Sequence, residues 1–221
     1  MVTTIIFDMD GVIVDSEPTH QKLEIEMFSE LGLHISDEER IEFVGTSSVD
    51  MWKKIGKRHD LAKSPDELLL YGRQKYWDAL EAGKVPLVQG AVQLITDLRR
   101  RGLIIQVASS ATRPTVDHVL ALFRLESFFK YRIGGDEVAH SKPNPDIFLE
   151  AARQSGSDPA KCVVIEDSAN GVKAAKQAGM FCIGYANPGT GKQDLSLADI
   201  VVNSLEKISV DTFALLNEPQ P

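Results

Sequence analysis

Four segments of the chain place polar or charged side chains directly after, or in a loop beyond, short apolar runs. In chain order these side chains are Asp8, Asp10, Ser109, Ser110, Lys142, Glu166 and Asp167. Ligands of a parallel α/β sheet bind beyond the carboxyl ends of its strands, so residues at such positions are expected to converge. Each residue alone has an ordinary structural explanation, such as a turn dipeptide or a rigid proline loop, but their coincidence at several strand ends favours a functional site.

The predicted cluster contains more acidic than basic groups, which indicates a metal. Converging carboxylates repel one another and raise their own pKa values unless a divalent cation neutralises them. Oxygen ligands without neighbouring His or Cys suit Mg²⁺, which often shares its coordination shell with a phosphate. Lys142 and the Ser109 hydroxyl would then hold phosphoryl oxygens opposite the metal. The residues therefore predict phosphoryl transfer with Mg²⁺ as cofactor.

The same segments resemble the four motifs of the haloacid dehalogenase superfamily. They are Phe7–Val12, Val107–Ser110, Ser141–Phe148 and Val164–Gly171. The resemblance in order and spacing covers nearly the whole chain. It is closest to the branch that contains β-phosphoglucomutase and the sugar-phosphate phosphatases with a helical cap.

The resemblance also implies a role for each acidic residue. Asp8 would be the nucleophile that forms an aspartyl-phosphate, and Asp10 would protonate the leaving oxygen and then deprotonate the attacking water. Mg²⁺ would be bound by the Asp8 carboxylate, the Asp10 backbone carbonyl and Asp167. Glu166 would lie beside or within the same coordination shell.

The elements that must position these residues alternate along the chain between short β-branched runs and amphipathic stretches. The predicted strands are 4–7, 103–108, 131–134, 162–165, 181–184 and 200–202, and the predicted helices between the later ones are 91–101, 114–125, 145–155 and 169–178. This alternation predicts an α/β fold with a Rossmann-like parallel-sheet core and helices on both faces.

A long insert separates the first predicted strand from the second. The insert has helical periodicity and no convincing strand, and it is far too long for a single crossover. We therefore predict an all-helical cap domain over residues 16–86, inserted into a core domain of residues 1–15 and 87–221.

Four residues are candidate substrate contacts. Ser110 could contact phosphate or simply begin a turn, and Asn144 belongs to the proline loop that follows Lys142. Thr46 offers a neutral hydroxyl that would suit the hydroxyl groups of a sugar or polyol. His20 is predicted near the apolar face of the first cap helix, where it could support catalysis or merely pack.

The choice between activities depends on a second phosphate site. Asp10 favours phosphoryl transfer, because the branches that cleave carbon–halogen bonds lack this second acid. A phosphomutase must also bind a distal phosphate, generally through Arg, and Ser48 stands where the resembling mutases carry that Arg. This departure favours a phosphatase that hydrolyses a small phosphorylated metabolite such as a sugar or polyol phosphate. Because Lys53, Lys54 or Arg73 could substitute, a β-phosphoglucomutase-like phosphomutase is the alternative.

A phosphoacceptor signalling domain is a third hypothesis from a different class. Such domains also gather acidic residues, Ser or Thr and Lys around Mg²⁺, but they store the phosphoryl group. They need neither a large cap nor an acid two residues after the nucleophile, and we predict both features here.

Charge and composition exclude other classes of partner. The formal charge of −8 repels phosphate backbones, which argues against nucleic acid. Cys162 and Cys182 lie in apolar runs and are predicted to be core residues in a reducing compartment. The first strand follows the N-terminus without a basic leader or a long apolar stretch, so we expect no membrane partner and a cytoplasmic location. We expect a monomer or a weak homodimer.

Overall fold

The computed structural model describes residues 1–36, 39–40, 43, 48–209 and 213. The chain divides into two compact units. One unit, the core, contains Met1–Glu17 and the chain from Pro86 onwards, and the other, the cap, contains Pro18–Val85. The limits predicted above, at residues 15/16 and 86/87, lie one or two residues from these.

The core contains a six-stranded sheet in the order β3-β2-β1-β4-β5-β6, and every neighbouring pair is parallel. Its strands are β1 (Thr4–Phe7), β2 (Ile104–Ser109), β3 (Tyr131–Gly134), β4 (Cys162–Glu166), β5 (Phe181–Tyr185) and β6 (Ile200–Val202). The predicted parallel α/β fold is therefore confirmed. β2 and β4 each run past their predicted ends, because Ser109 pairs with Gly134 and Glu166 pairs with Gly184.

Seven α-helices are present in the part of the chain that the structure describes. They are α1 (Glu17–Glu30), α2 (Ser48–Arg58), α3 (Pro65–Glu81), α4 (Ala91–Arg100), α5 (Arg113–Leu122), α6 (Asp146–Ser155) and α7 (Ala169–Gln177). The prediction that α5 would reach residue 125 is wrong, because Arg124 adopts a left-handed φ of 58° that ends the helix. None of the described helices is both long and apolar enough to cross a membrane.

Both faces of the sheet are buried, as expected for parallel strands. One core cluster joins strand residues such as Ile6 and Val164 to Phe148 of α6 and Val172 of α7. Residues that alternate with these along the strands, such as Ile5, are also buried. The cap has its own cluster, built from Met27, Phe28, Phe43, Met51, Trp52, Ile55 and Leu68.

Both cysteines are buried in the core, as the sequence predicted. Burial is the main cause that raises the pKa of Cys162 to about 11 and the pKa of Cys182 to about 12. Because the thiolate is the reactive form, we expect the folded protein to react with Ellman's reagent only very slowly near neutral pH. The same protein unfolded in urea should titrate two thiols. Rapid reaction of either thiol in the folded protein would contradict this packing.

Candidate active site

The register of the sheet brings the predicted strand-end residues together. β1 lies between β2 and β4. Phe7 pairs with Val107 on one side and with Ile165 on the other, so Asp8 emerges level with the ends of both neighbouring strands. The backbone N–H of Asp8 donates to the Ile165 carbonyl at 3.0 Å. The backbone of Asp8 is therefore held at the carboxyl end of the central strand β1.

A cavity of about 210 Å³ opens at this edge of the core. The predicted residues that line it are Asp8, Asp10, Ser109, Ser110, Lys142, Glu166 and Asp167. Gly11, Ser16, Glu17, Ser168 and Thr190 also line it; of these, Ser16, Glu17 and Thr190 lie outside the four predicted motif segments. The structure thus places side chains from four separate segments around one cavity, as the strand-end positions predicted.

Lys142 lines the cavity and is held between two carboxylates. Its Nζ donates to Asp8 Oδ1 at 2.5 Å, to Glu166 Oε1 at 2.7 Å and to the Ala108 carbonyl at 3.2 Å. It also lies 4.9 Å from the ring centroid of Phe148, a favourable distance for a cation–π contact. Burial alone would lower the pKa of Lys142, but Asp8 and Glu166 hold it above its ordinary value. Lys142 is therefore charged at neutral pH.

Asp8 is the carboxylate most affected by its surroundings. Burial raises the pKa of Asp8 well above its ordinary value, and Lys142 opposes that rise. The acidic neighbours Glu166, Asp167 and Asp10 add to the rise. A cation beside Asp8 would relieve this repulsion, since an opposite charge favours the ionised form of a carboxyl group.

Glu166, predicted to lie beside or within the metal shell, is bound on both carboxylate oxygens by protein donors. Its Oε1 accepts from Lys142, and its Oε2 accepts from the backbone N–H of Ser168 at 2.8 Å and from the Ser168 hydroxyl at 2.9 Å. Only 1% of the residue is exposed. Both oxygens accept from protein donors, so Glu166 anchors Lys142 and the start of α7.

Asp167 also lines the cavity. Its Oδ2 accepts from the Thr190 hydroxyl at 2.6 Å, and it packs against Gly11. A Cβ added to Gly11, whose φ is +76°, would lie 1.9 Å from the same oxygen, so this close approach requires glycine. Burial is the main cause that raises the pKa of Asp167 to about 7, and Glu166 adds to it, while Thr190 lowers it.

The donor set fits a hard divalent cation. No three His, Cys, Asp or Glu side chains within the described ranges are grouped to hold a metal by themselves. Two carboxylates, Asp8 and Asp167, line the same cavity as Asp10, whose backbone carbonyl could supply a third oxygen. Few protein oxygens and no nitrogen or sulfur suit Mg²⁺, which keeps several waters in its shell.

Three more predicted site residues, Ser109, Ser110 and Asn144, belong to the core. Ser109 is buried and its Oγ accepts from the Ala111 backbone N–H at 3.0 Å, while Ser110 is exposed at the rim of the cavity. Asn144 is exposed, does not line the cavity and donates to the Ser141 carbonyl at 3.2 Å. Its position corrects the expectation of a substrate contact, because the side chain closes its own turn.

The last two predicted substrate contacts, His20 and Thr46, belong to the cap. His20 is exposed, and its ring stacks on the buried Tyr76 with centroids 4.2 Å apart. Its role in substrate binding stays a prediction. Thr46 lies outside the described residues.

The tight packing around Glu166 leads to a stability prediction for Gly171→Ala. A Cβ added at Gly171 would lie 1.8 Å from Glu166 Oε1, so the carboxylate that anchors Lys142 must move. We expect a loss of about 1–3 kcal/mol in the free energy of unfolding, the usual cost of overpacking a core.

The matched control is Gly56→Ala in α2, where the added Cβ meets open space. That substitution should stabilise the protein by roughly 0.5–1 kcal/mol, from helix propensity and the unfolded state. Urea unfolding curves of both variants measure the difference. If Gly171→Ala were as stable as Gly56→Ala, the proposed packing of Glu166 would be wrong.

Comparison with known proteins relates this site to a large enzyme family. A family model described as Haloacid dehalogenase-like hydrolase matches residues 5–185. Hexitol phosphatase B of Escherichia coli K12 is 28% identical over 212 residues, which cover 92% of this chain and 93% of that protein. A crystal structure of CbbY from Rhodobacter sphaeroides, a D10N mutant in complex with xylulose-(1,5)bisphosphate, superposes with a TM-score of 0.80 at 27% identity, covering 95% of this chain and 97% of that chain.

Two plant relatives are longer than this chain. The bifunctional riboflavin kinase/FMN phosphatase of Arabidopsis thaliana is 31% identical over 96% of this chain, which spans 55% of that protein. The chain spans 18% of the chloroplastic Protein SUPPRESSOR OF QUENCHING 1 of the same plant, at 33% identity over 82% of this chain.

Proposed function

Because the chain belongs to the haloacid dehalogenase-like hydrolase family, we propose that it is a Mg²⁺-dependent phosphatase of a small phosphorylated metabolite, a sugar or polyol phosphate. The observation that carries this proposal is that Asp8, hydrogen-bonded by Lys142, lines one cavity together with Asp10 and Asp167. The similarity to Hexitol phosphatase B over nearly the full length of both chains supports this class of substrate.

In the first step, a carboxylate oxygen of Asp8 attacks phosphorus and the bond from phosphorus to the leaving oxygen breaks. Asp10 gives its proton to that oxygen, and the alcohol departs. Lys142, whose three N–H bonds go to Asp8, Glu166 and the Ala108 carbonyl, places its positive charge beside the phosphoryl group and offsets its negative charge. The hydroxyl of Ser109 accepts a bond from Ala111, so its own hydrogen can be donated to a second phosphoryl oxygen.

In the second step, Asp10 takes a proton from water as the water oxygen attacks the aspartyl-phosphate. The bond between phosphorus and Asp8 breaks, inorganic phosphate is released, and both acids return to their starting states. Asp8, the Asp10 carbonyl and Asp167 would hold Mg²⁺, which when bound offsets the charge of the phosphoryl group and the carboxylates.

The same site would serve a mutase only with a second anion anchor. Ser48 begins α2, and its neutral hydroxyl cannot replace the bidentate grip of Arg on a distal phosphate. Phosphatase activity is therefore the proposal. A cytoplasmic location and a small-molecule partner, without nucleic acid or membrane, are predictions that accompany it.

The test is a panel of phosphorylated sugars, polyols and nucleotides assayed for phosphate release, with Mg²⁺ and with EDTA. We expect many turnovers on at least one sugar or polyol phosphate, and none with EDTA. β-Glucose 1-phosphate with its bisphosphate activator should be hydrolysed or ignored without isomerisation. Isomerisation would favour the mutase, and a single stoichiometric phosphorylation would favour a signalling domain.

A further inference from the structure

The loop after β5, residues 186–191, contacts two of the segments that carry the site carboxylates. It begins at the sheet, where the Ala186 N–H donates to the Val202 carbonyl at 2.7 Å. Asn187 then precedes a short 3₁₀ helix, Pro188–Thr190. We call this segment the β5 loop.

Thr190 binds one particular oxygen of Asp167. The Thr190 hydroxyl donates to Oδ2 at 2.6 Å, a short distance typical of a bond to a carboxylate. The same oxygen faces Gly11, where an added Cβ would lie 1.9 Å away. The Asp167 carboxyl group is therefore flanked by the β5 loop and by Gly11, and its rotation would break a hydrogen bond and meet the Gly11 backbone.

Asn187 ties the β5 loop to Gly11. Its Nδ2 donates to the Gly11 carbonyl at 2.8 Å, and its Oδ1 accepts from the Gly189 N–H at 2.7 Å. Only 6% of Asn187 is exposed. Because each end of the amide has its own partner, the orientation of the side chain is fixed. The contacts close a ring that runs from Asn187 to Gly11, Asp167, Thr190 and back.

We propose that Thr190 and Asn187 are positioning residues that hold Asp167 so that Oδ2 is occupied and Oδ1 is left for the metal, which favours Mg²⁺ over Ca²⁺. This inference rests on the proposed function. Mg²⁺ demands near-octahedral geometry and suits one oxygen from each carboxylate, whereas Ca²⁺ accepts both oxygens of one carboxylate. Hydrogen bonds to ligating carboxylates orient them and tune metal affinity.

Thr190→Val tests the hydroxyl with little change of shape, and Thr190→Ser should restore it. The affinities for Mg²⁺ and Ca²⁺ are measured on substrate-free protein by competition with Mn²⁺, followed by EPR. We expect Thr190→Val to weaken Mg²⁺ binding by about 10- to 100-fold, as for other outer partners of metal ligands. Ca²⁺ binding should weaken much less, so the preference for Mg²⁺ falls. Thr190→Ser should remain close to the unsubstituted protein in both affinities.

If the β5 loop had a purely structural role, the outcome would differ. Thr190→Val would lower the free energy of unfolding of the metal-free protein in urea, and the ratio of the Mg²⁺ and Ca²⁺ affinities would stay unchanged. Asn187→Ala provides a second variant, and we expect the same fall in Mg²⁺ preference with a smaller amplitude, since Asn187 acts through Gly11. Unchanged Mg²⁺ affinity in Thr190→Val, or equal losses for both ions, would overturn the proposal.

Failure of this inference can be separated from failure of the proposed function. Hydrolysis by the unsubstituted protein, together with an unaltered ion preference in Thr190→Val, would remove only the role of the β5 loop. Specific Mg²⁺ binding that depends on Thr190, without phosphate release from any substrate, would keep that role and remove the phosphatase.

Discussion

Asp8→Asn is expected to lose phosphatase activity by about 10³-fold or more, as when other enzymes lose a nucleophile. The amide has nearly the shape of the carboxylate but cannot form the acyl-phosphate. Folding should not suffer, because Lys142 keeps its bond to Glu166 Oε1 at 2.7 Å. Stability near neutral pH should be maintained or rise, since the substitution removes a buried, crowded acid whose pKa is raised by burial.

The measurements are phosphate release and urea unfolding on the same preparation. Asp97→Asn is a matched control on α4, where the side chain is 39% exposed and does not line the cavity. It should leave both quantities unchanged. Turnover by Asp8→Asn at a rate close to that of the control would remove Asp8 as the nucleophile.

Lys142→Met should cause the largest loss of stability among single substitutions at the site. The side chain is only 5% exposed and bridges two buried acids. Removing one partner of a buried ion pair typically costs about 3–5 kcal/mol, because the remaining charges have no counterion. Lys173→Met, at an exposed position on α7, should be neutral by comparison.

The loss in Lys142→Met should depend on pH. Without the lysine, Asp8 loses the main influence that lowers its pKa, so its folded pKa rises further above the unfolded value. A raised folded pKa means that the folded state binds the extra proton, so stability is present at low pH and is lost as pH rises. Unfolding curves should show a larger deficit near pH 8 than near pH 5.

A second substitution tests whether the ion pair between Lys142 and Glu166 contributes to stability. Glu166→Gln removes one of the two acids, so the double variant with Lys142→Met should recover part of the lost stability. Additive losses in the double-mutant cycle would show that the two side chains do not interact.

Much of the site follows from sequence because it depends on local rules. A residue that follows a parallel strand lies at the ligand edge of the sheet, and by this rule Asp8 and Asp167 line the cavity. The ends of β2 and β4 could not be read in the same way. They depend on pairing with Gly134 and Gly184, which no local pattern shows.

The β5 loop was missed although a signal existed. Asn187 and Pro188 follow the fifth strand as a turn dipeptide, and the strand-end rule applies to that strand as well. Thr190 is harder to predict, because its partner Asp167 is 23 residues away in the chain. The role of Glu166 could not be predicted either, because it depends on the contacts of its two oxygens with Lys142 and with Ser168, the N-cap of α7.

The two chain crossings between the core and the cap have a consequence for how such proteins diversify. Val14 and Leu87 form an antiparallel bridge, and the Asp15 N–H donates to the Pro86 carbonyl at 2.9 Å. On the core side, the two crossings are therefore already joined by a β-bridge and a backbone hydrogen bond. The entropy of closing a loop grows only slowly with its length, so segments of very different size can be exchanged between these crossings while the sheet edge with Asp8 is left undisturbed.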